Sequence, residues 1–107
     1  MWLVLEDSFL SIVQDKDNSD QLLVRGRLKG DIEKIFPNAN VIVGAGSDYK
    51  YRAFIKRNIV SETVLQKIDN IKYTNFKNEV ALNDKERAYT YSKIWNIMYR
   101  KQEEQKN

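Results

Sequence analysis

The sequence predicts an α+β domain: an antiparallel sheet built from two hairpins, with helices packed on it, in the order ββαββαα. Three observations predict it. Residues 22–28 and 49–57 alternate apolar and polar side chains with the period of two that a half-buried strand requires. Polar or glycine-bearing stretches at 14–21 and 44–47 stand where hairpin loops would fall. From Ser61 onwards the apolar spacing changes to three and four residues, the period of a helix.

Taken in order, residues 2–5 and 9–13 are apolar runs broken by Glu6-Asp7-Ser8, which gives one bent strand or two short ones. The polar stretch 14–21 then joins them to a strand over 22–28. There Leu22, Val24, Gly26 and Leu28 share one side, and Leu23, Arg25 and Arg27 the other. Gly30-Asp31 opens a short helix with Ile32, Ile35 and Phe36 at helical spacing, and Pro37 closes it by disfavouring the α conformation of its predecessor. Residues 41–43 form a third strand and Gly44-Ala45-Gly46-Ser47 a turn. The strand over 49–57 puts Tyr49, Tyr51, Ala53 and Ile55 on one face and Lys50, Arg52, Phe54 and Lys56 on the other.

Ser61 is the expected N-cap of a helix carrying Val64, Leu65, Ile68 and Ile71 on one side, with Val60 and Leu65 placed as a staple. In the connector 72–83, Asn75 or Thr74 can cap a turn of helix while Phe76 and Val80 face a core. Asp84 caps the last helix, whose stripe is Ala88, Tyr91, Trp95, Met98 and Tyr99. Glu103 and Glu104 oppose the helix dipole, so the expected domain covers 1–102, with a frayed tail over 103–107.

Composition excludes more than it assigns. The 107 residues contain no Cys and no His, so disulfides, thiol catalysis and the usual zinc ligands are ruled out, and neither cofactor nor metal is expected. The loop from Asp15 begins like a calcium loop but has Asp20 where glycine is needed and Gly26 where a bidentate Glu is needed, which leaves a hairpin turn. Gly44-Ala45-Gly46 is followed by a strand rather than a helix, so it reads as a turn and not as a phosphate cradle. The apolar start has no basic flank and is cut by acidic residues after five positions. No signal peptide or membrane span is expected, and a cytoplasmic location follows.

Net charge is +3, unevenly distributed: residues 1–24 carry −4, residues 25–60 carry +5 and the remainder +2. The basic middle third points to an anionic partner. If the two alternating strands share a sheet, Arg25, Arg27, Lys50, Arg52 and Lys56 gather around Phe54 and Leu23 on one face, an arrangement able to bind a macromolecule. Against that stands the plainer reading, in which long basic stems cover a solvated sheet or the final helix folds over its apolar members. A net charge this small favours a protein partner over nucleic acid. The aromatic C-terminal helix is a second candidate surface. The alternative is a small enzyme or ligand-binding protein with a polar site around Asp48, Tyr51 and Arg52, whose pocket would draw in Asn75 and Lys77.

Asp7-Ser8-Phe9-Leu10-Ser11-Ile12-Val13, Arg25-Gly26-Arg27-Leu28-Lys29-Gly30-Asp31, Asp48-Tyr49-Lys50-Tyr51-Arg52-Ala53, Ile71-Lys72-Tyr73-Thr74-Asn75-Phe76-Lys77 and Trp95-Asn96-Ile97-Met98-Tyr99 together resemble a family of small bacterial proteins of unassigned function. The resemblance spans nearly the whole chain. It implies a free-standing bacterial protein with Phe9 and Trp95 in the core, and it implies no activity.

Overall fold

The computed structural model describes residues 1–44, 46 and 48–105. The chain falls into two compact units, Met1–Lys72 and Tyr73–Asn107. The first holds an antiparallel five-stranded sheet with two helices, the α+β arrangement that the alternation predicts.

The break at Glu6-Asp7-Ser8 makes two strands rather than one bent one. Strand β1 (Trp2–Val4) and β2 (Phe9–Asp15) are joined by a tight turn closed by the Leu5 N–H on the Ser8 carbonyl at 2.8 Å. Strand β3 (Asn18–Gly26) reaches further back than the apolar residues alone suggest. The polar stretch pairs as a ladder down to Asp15 opposite Asn18, with a register shift between Gln14 and Asp15. Asp15 Oδ1 accepts the Asp17 N–H at 3.0 Å, the Asx geometry that tightens such a turn.

After α1 (Asp31–Ile35), β4 is only Ile42–Val43, and β5 (Tyr51–Lys56) completes a sheet of order β1-β2-β3-β5-β4. Gly44 and Gly46 adopt φ of 69° and 68°, left-handed values that glycine reaches without a Cβ penalty. Ala45 and Ser47 of that expected turn lie outside the described residues.

Helices α1 and α2 (Arg57–Asp69) pack on one face of the sheet. Leu10, Ile12, Val24, Ala53 and Ile55 project from the strands toward Ile32, Ile35, Phe36 and Val60. Ser61 is not the N-cap of α2. The helix starts at Arg57, directly after the last strand residue Lys56, because Arg57-Asn58-Ile59 contains no breaker to delay it. Val60 and Val64, four apart, consequently face the core, while Leu65, Ile68 and Ile71 are exposed.

In the second unit the connector forms a full helix, α3 (Phe76–Asn83), capped by Asn75 through the Asn78 N–H at 3.0 Å. Helix α4 (Lys85–Glu104) is capped by Asp84 through the Arg87 N–H at 3.0 Å, and pairs with α3. Phe76 lies between Tyr73 and Tyr91, with centroids 5.8 and 6.1 Å away. The expected apolar stripe is not a buried one: Trp95 is 49 % exposed, and Met98 and Tyr99 are exposed with it. α4 runs on through Glu103 and Glu104, where a Lys101–Glu104 contact of 3.8 Å offsets the unfavourable dipole.

Candidate binding face

Alternation along the strands determines what the sheet presents opposite α1 and α2. Trp2, Ser11, Arg25, Arg52 and Ile42 are cross-strand partners in one row through all five strands. Val13, Leu23 and Phe54 form a second row. Cross-strand partners in an antiparallel sheet have Cβ atoms roughly 4.5–5.5 Å apart, so Arg25 and Arg52 stand side by side. Trp2 is 64 % and Phe54 45 % exposed, and the ring of Trp2 meets Phe9 edge-on at 5.4 Å.

Tyr49 departs from the expected strand. Continued alternation would have placed it with Tyr51 on the core face; instead β5 begins at Tyr51, and Tyr49 turns to the opposite face, where it is 7 % exposed. Its ring takes the guanidinium of Arg27 at 4.1 Å and that of Arg25 at 4.6 Å. Two cations attracted to one ring supply the energy that alternation alone does not count. Ser11 accepts a hydrogen bond from Arg25 Nη2 at 2.8 Å and bonds the Tyr49 hydroxyl. The Ser11 hydrogen bond, the Arg27 and Arg25 charges and a bond from Trp2 hold the Tyr49 hydroxyl below its ordinary pKa, outweighing burial.

Arg27 is the cation with a carboxylate of its own. Its Nη2 donates to Asp48 Oδ2 at 3.0 Å and its Nη1 to Oδ1 at 3.4 Å, a two-pronged fork. That hydrogen bond and charge keep Asp48 below the usual carboxylate range and raise Arg27 above its own ordinary value.

Arg25 and Arg52 have no such partner among the described residues: Arg25 has only Ser11 as an acceptor, and Arg52 has none. Both Nε–H groups are enclosed without an acceptor. The remaining expected members of the basic face are Lys50 and Lys56. Lys50 precedes β5 and lies 5.7 Å from the ring of Tyr51, which packs against the core. Lys56 stands opposite Gln21 at the far end of the strand, in a groove lined also by Asn18, Asp20, Arg57 and Glu62.

The residues considered for a polar pocket around Asp48 each have a local role in the structure. Asp48 is occupied by Arg27, while the neighbours Tyr51 and Arg52 point to opposite faces of β5. Asn75 and Lys77 belong to the second unit, where Asn75 caps α3 and Lys77 lies 4.6 Å from the Trp95 ring. Sequence reasoning did not single out Ser11, and it placed Tyr49 on the core face of the strand. The signal for Ser11 was present, since it is the polar member of the alternating set Phe9, Ser11, Val13.

No family model, curated protein or solved structure matches the chain. Among the described residues no helix is long and apolar enough to cross a membrane.

Proposed function

We propose that this chain is a non-enzymatic binding module that engages a protein through the sheet face opposite α1 and α2. One observation carries the reading: Arg25 and Arg52, cross-strand partners on β3 and β5, share that face with the exposed rings of Trp2 and Phe54. Arginine and aromatic side chains are the residues enriched at the energetic centres of protein interfaces, because they combine large contact area with directed hydrogen bonds. Nucleic acid is disfavoured by the same geometry. Arg27 is spent on Asp48 and Lys50 lies against Tyr51, so among the described residues no continuous basic track follows the sheet. The fork on Asp48 also ties up the carboxylate that an enzymatic site would need. A cytoplasmic setting accords with the absence of cysteine.

Affinity capture from an extract of the source cell tests the face. Wild type and an α4 variant, Ile97→Asp, should retain the same protein, while Phe54→Asp and Arg52→Glu lose it without a change in Tm. Retention by both sheet variants would overturn the reading.

A further inference from the structure

Resting on that reading, we propose that Arg25 and Arg52 form a receptor for a phosphomonoester dianion carried by the protein partner. Two like charges directly opposite each other across a strand pair repel, and such a pair is stabilised by an anion seated between them. The protein contains its own comparison. Arg27 shows how a single carboxylate is taken, by one guanidinium in a fork, with Asp48. Among the described residues the neighbouring pair has no carboxylate in a fork of its own; Asp48 also feels the charge of Arg25, and Arg25, Arg27 and Arg52 against that one carboxylate leave +2 on this part of the face, which matches the −1.5 to −2 of a phosphomonoester near pH 7.

The surroundings prepare the pair. Arg25 is positioned before any ligand arrives, by the Ser11 hydroxyl at 2.8 Å and the Tyr49 ring at 4.6 Å. Arg52, half-buried and with no acceptor among the described residues, is the free arm that closes on the ligand. A tetrahedral phosphate has enough oxygens to accept from both forks at once, whereas a planar carboxylate saturates one. Phe54 and Leu23, in the adjacent row, supply apolar ground for the residues flanking the phosphorylated side chain.

The test titrates the whole protein with inorganic phosphate and, at matched ionic strength, with acetate, following the nitrogen-15 resonances of the arginine Nε–H groups. Saturable shifts should concentrate on Arg25 and Arg52, with acetate weaker by about tenfold or more, the size of one lost charged hydrogen bond. Arg52→Gln should weaken phosphate by about tenfold or more, and Arg52→Lys, which keeps the charge but loses the fork, by less. Lys56→Gln, which removes the same charge elsewhere on β5, should leave the affinity within about twofold, as expected of screened surface charge. Affinity should fall from pH 7.5 to pH 5.5, as the phosphate loses its second charge near pH ~6. A serine phosphopeptide should compete with phosphate, and its unphosphorylated glutamate analogue should not. Equal effects of Arg52→Gln and Lys56→Gln, or equal affinity for phosphate and acetate, would overturn the receptor. If that happens while Phe54→Asp still abolishes capture, the protein-binding reading stands alone. Phosphate binding with capture indifferent to Phe54→Asp would overturn the assignment of the phosphate to a protein partner.

Discussion

Asp31→Ala tests the packing that positions the sheet. Asp31 opens α1 and is fully buried. Its Oδ2 accepts the Phe9 N–H at 3.0 Å, its carbonyl accepts the Ser8 hydroxyl at 3.0 Å, and Lys34 Nζ lies 3.9 Å from Oδ1. The substitution keeps the carbonyl but strips the first β2 amide of its acceptor. A partly buried donor left unpaired costs about 1–3 kcal/mol. The ion pair adds little, about 0–1 kcal/mol, because Lys34 is half in water. The expected loss is therefore about 2 kcal/mol, or about 8–16 °C in Tm for a chain of this size. Urea unfolding at neutral pH measures it, with the m-value unchanged. Ser8→Ala should cost about 1 kcal/mol. The double variant should cost less than the two added, because both bonds tie the same α1 start to the same β2 start. A loss below about 0.5 kcal/mol for Asp31→Ala, the range of ordinary surface changes, would refute the claim that this carboxylate joins α1 to the sheet.

Three further outcomes follow from the same geometry. Tyr49 has a folded-state pKa below its unfolded value of about 10, so between the two the unfolded chain holds the proton more tightly and stability rises with pH. Wild type should thus gain on Tyr49→Phe as the pH approaches ~10, and a flat difference in unfolding free energy would contradict the Ser11 and arginine contacts. Asp48 also has a lowered pKa, so its contribution is complete above about pH 4 and is lost as acid protonates it. Asp48→Asn should remove that contribution throughout the range above about pH 4, and the difference from wild type should shrink away as acid protonates Asp48, as read from Tm against pH. Trp95→Ala should cost about 1–2 kcal/mol, the worth of its stack with Tyr99 at 5.2 Å and of Lys77 at 4.6 Å, rather than the roughly 3–5 kcal/mol of a core tryptophan.

The sheet was legible where alternation is a sufficient cause. Leu22, Val24, Ala53 and Ile55 face the helices as their spacing requires, and Arg25, Arg52 and Phe54 face away. Alternation failed at Tyr49, because attraction to two guanidiniums at the end of β3 is not visible in local sequence. Ser61 was a good cap by residue type, but a cap is used only where a helix begins, and nothing between Lys56 and Ser61 prevents an earlier start. The caps Asn75 and Asp84 were legible because a helix does begin directly after each. The stripe of α4 showed the converse limit: spacing reveals which residues share a side, and Trp95 and Met98 show that a shared side is not thereby a buried one.

The direct passage from Lys56 into Arg57 makes the junction of β5 and α2 a matter of phase. With no intervening residue to absorb a change of direction, the side chains of α2 inherit their orientation from the last strand residue. Arg57 fixes that phase further by donating from Nε to the Ser19 carbonyl of β3 at 3.0 Å and from Nη2 to Gln14 Oε1 of β2 at 2.7 Å. One residue inserted at this point would turn the helix by about 100° and swing Val60 and Val64 off the sheet. The strand holding Arg52 and Phe54 is thus anchored at one end by a joint that tolerates neither insertion nor deletion, and sequence length at 56–57 is as constrained as residue identity.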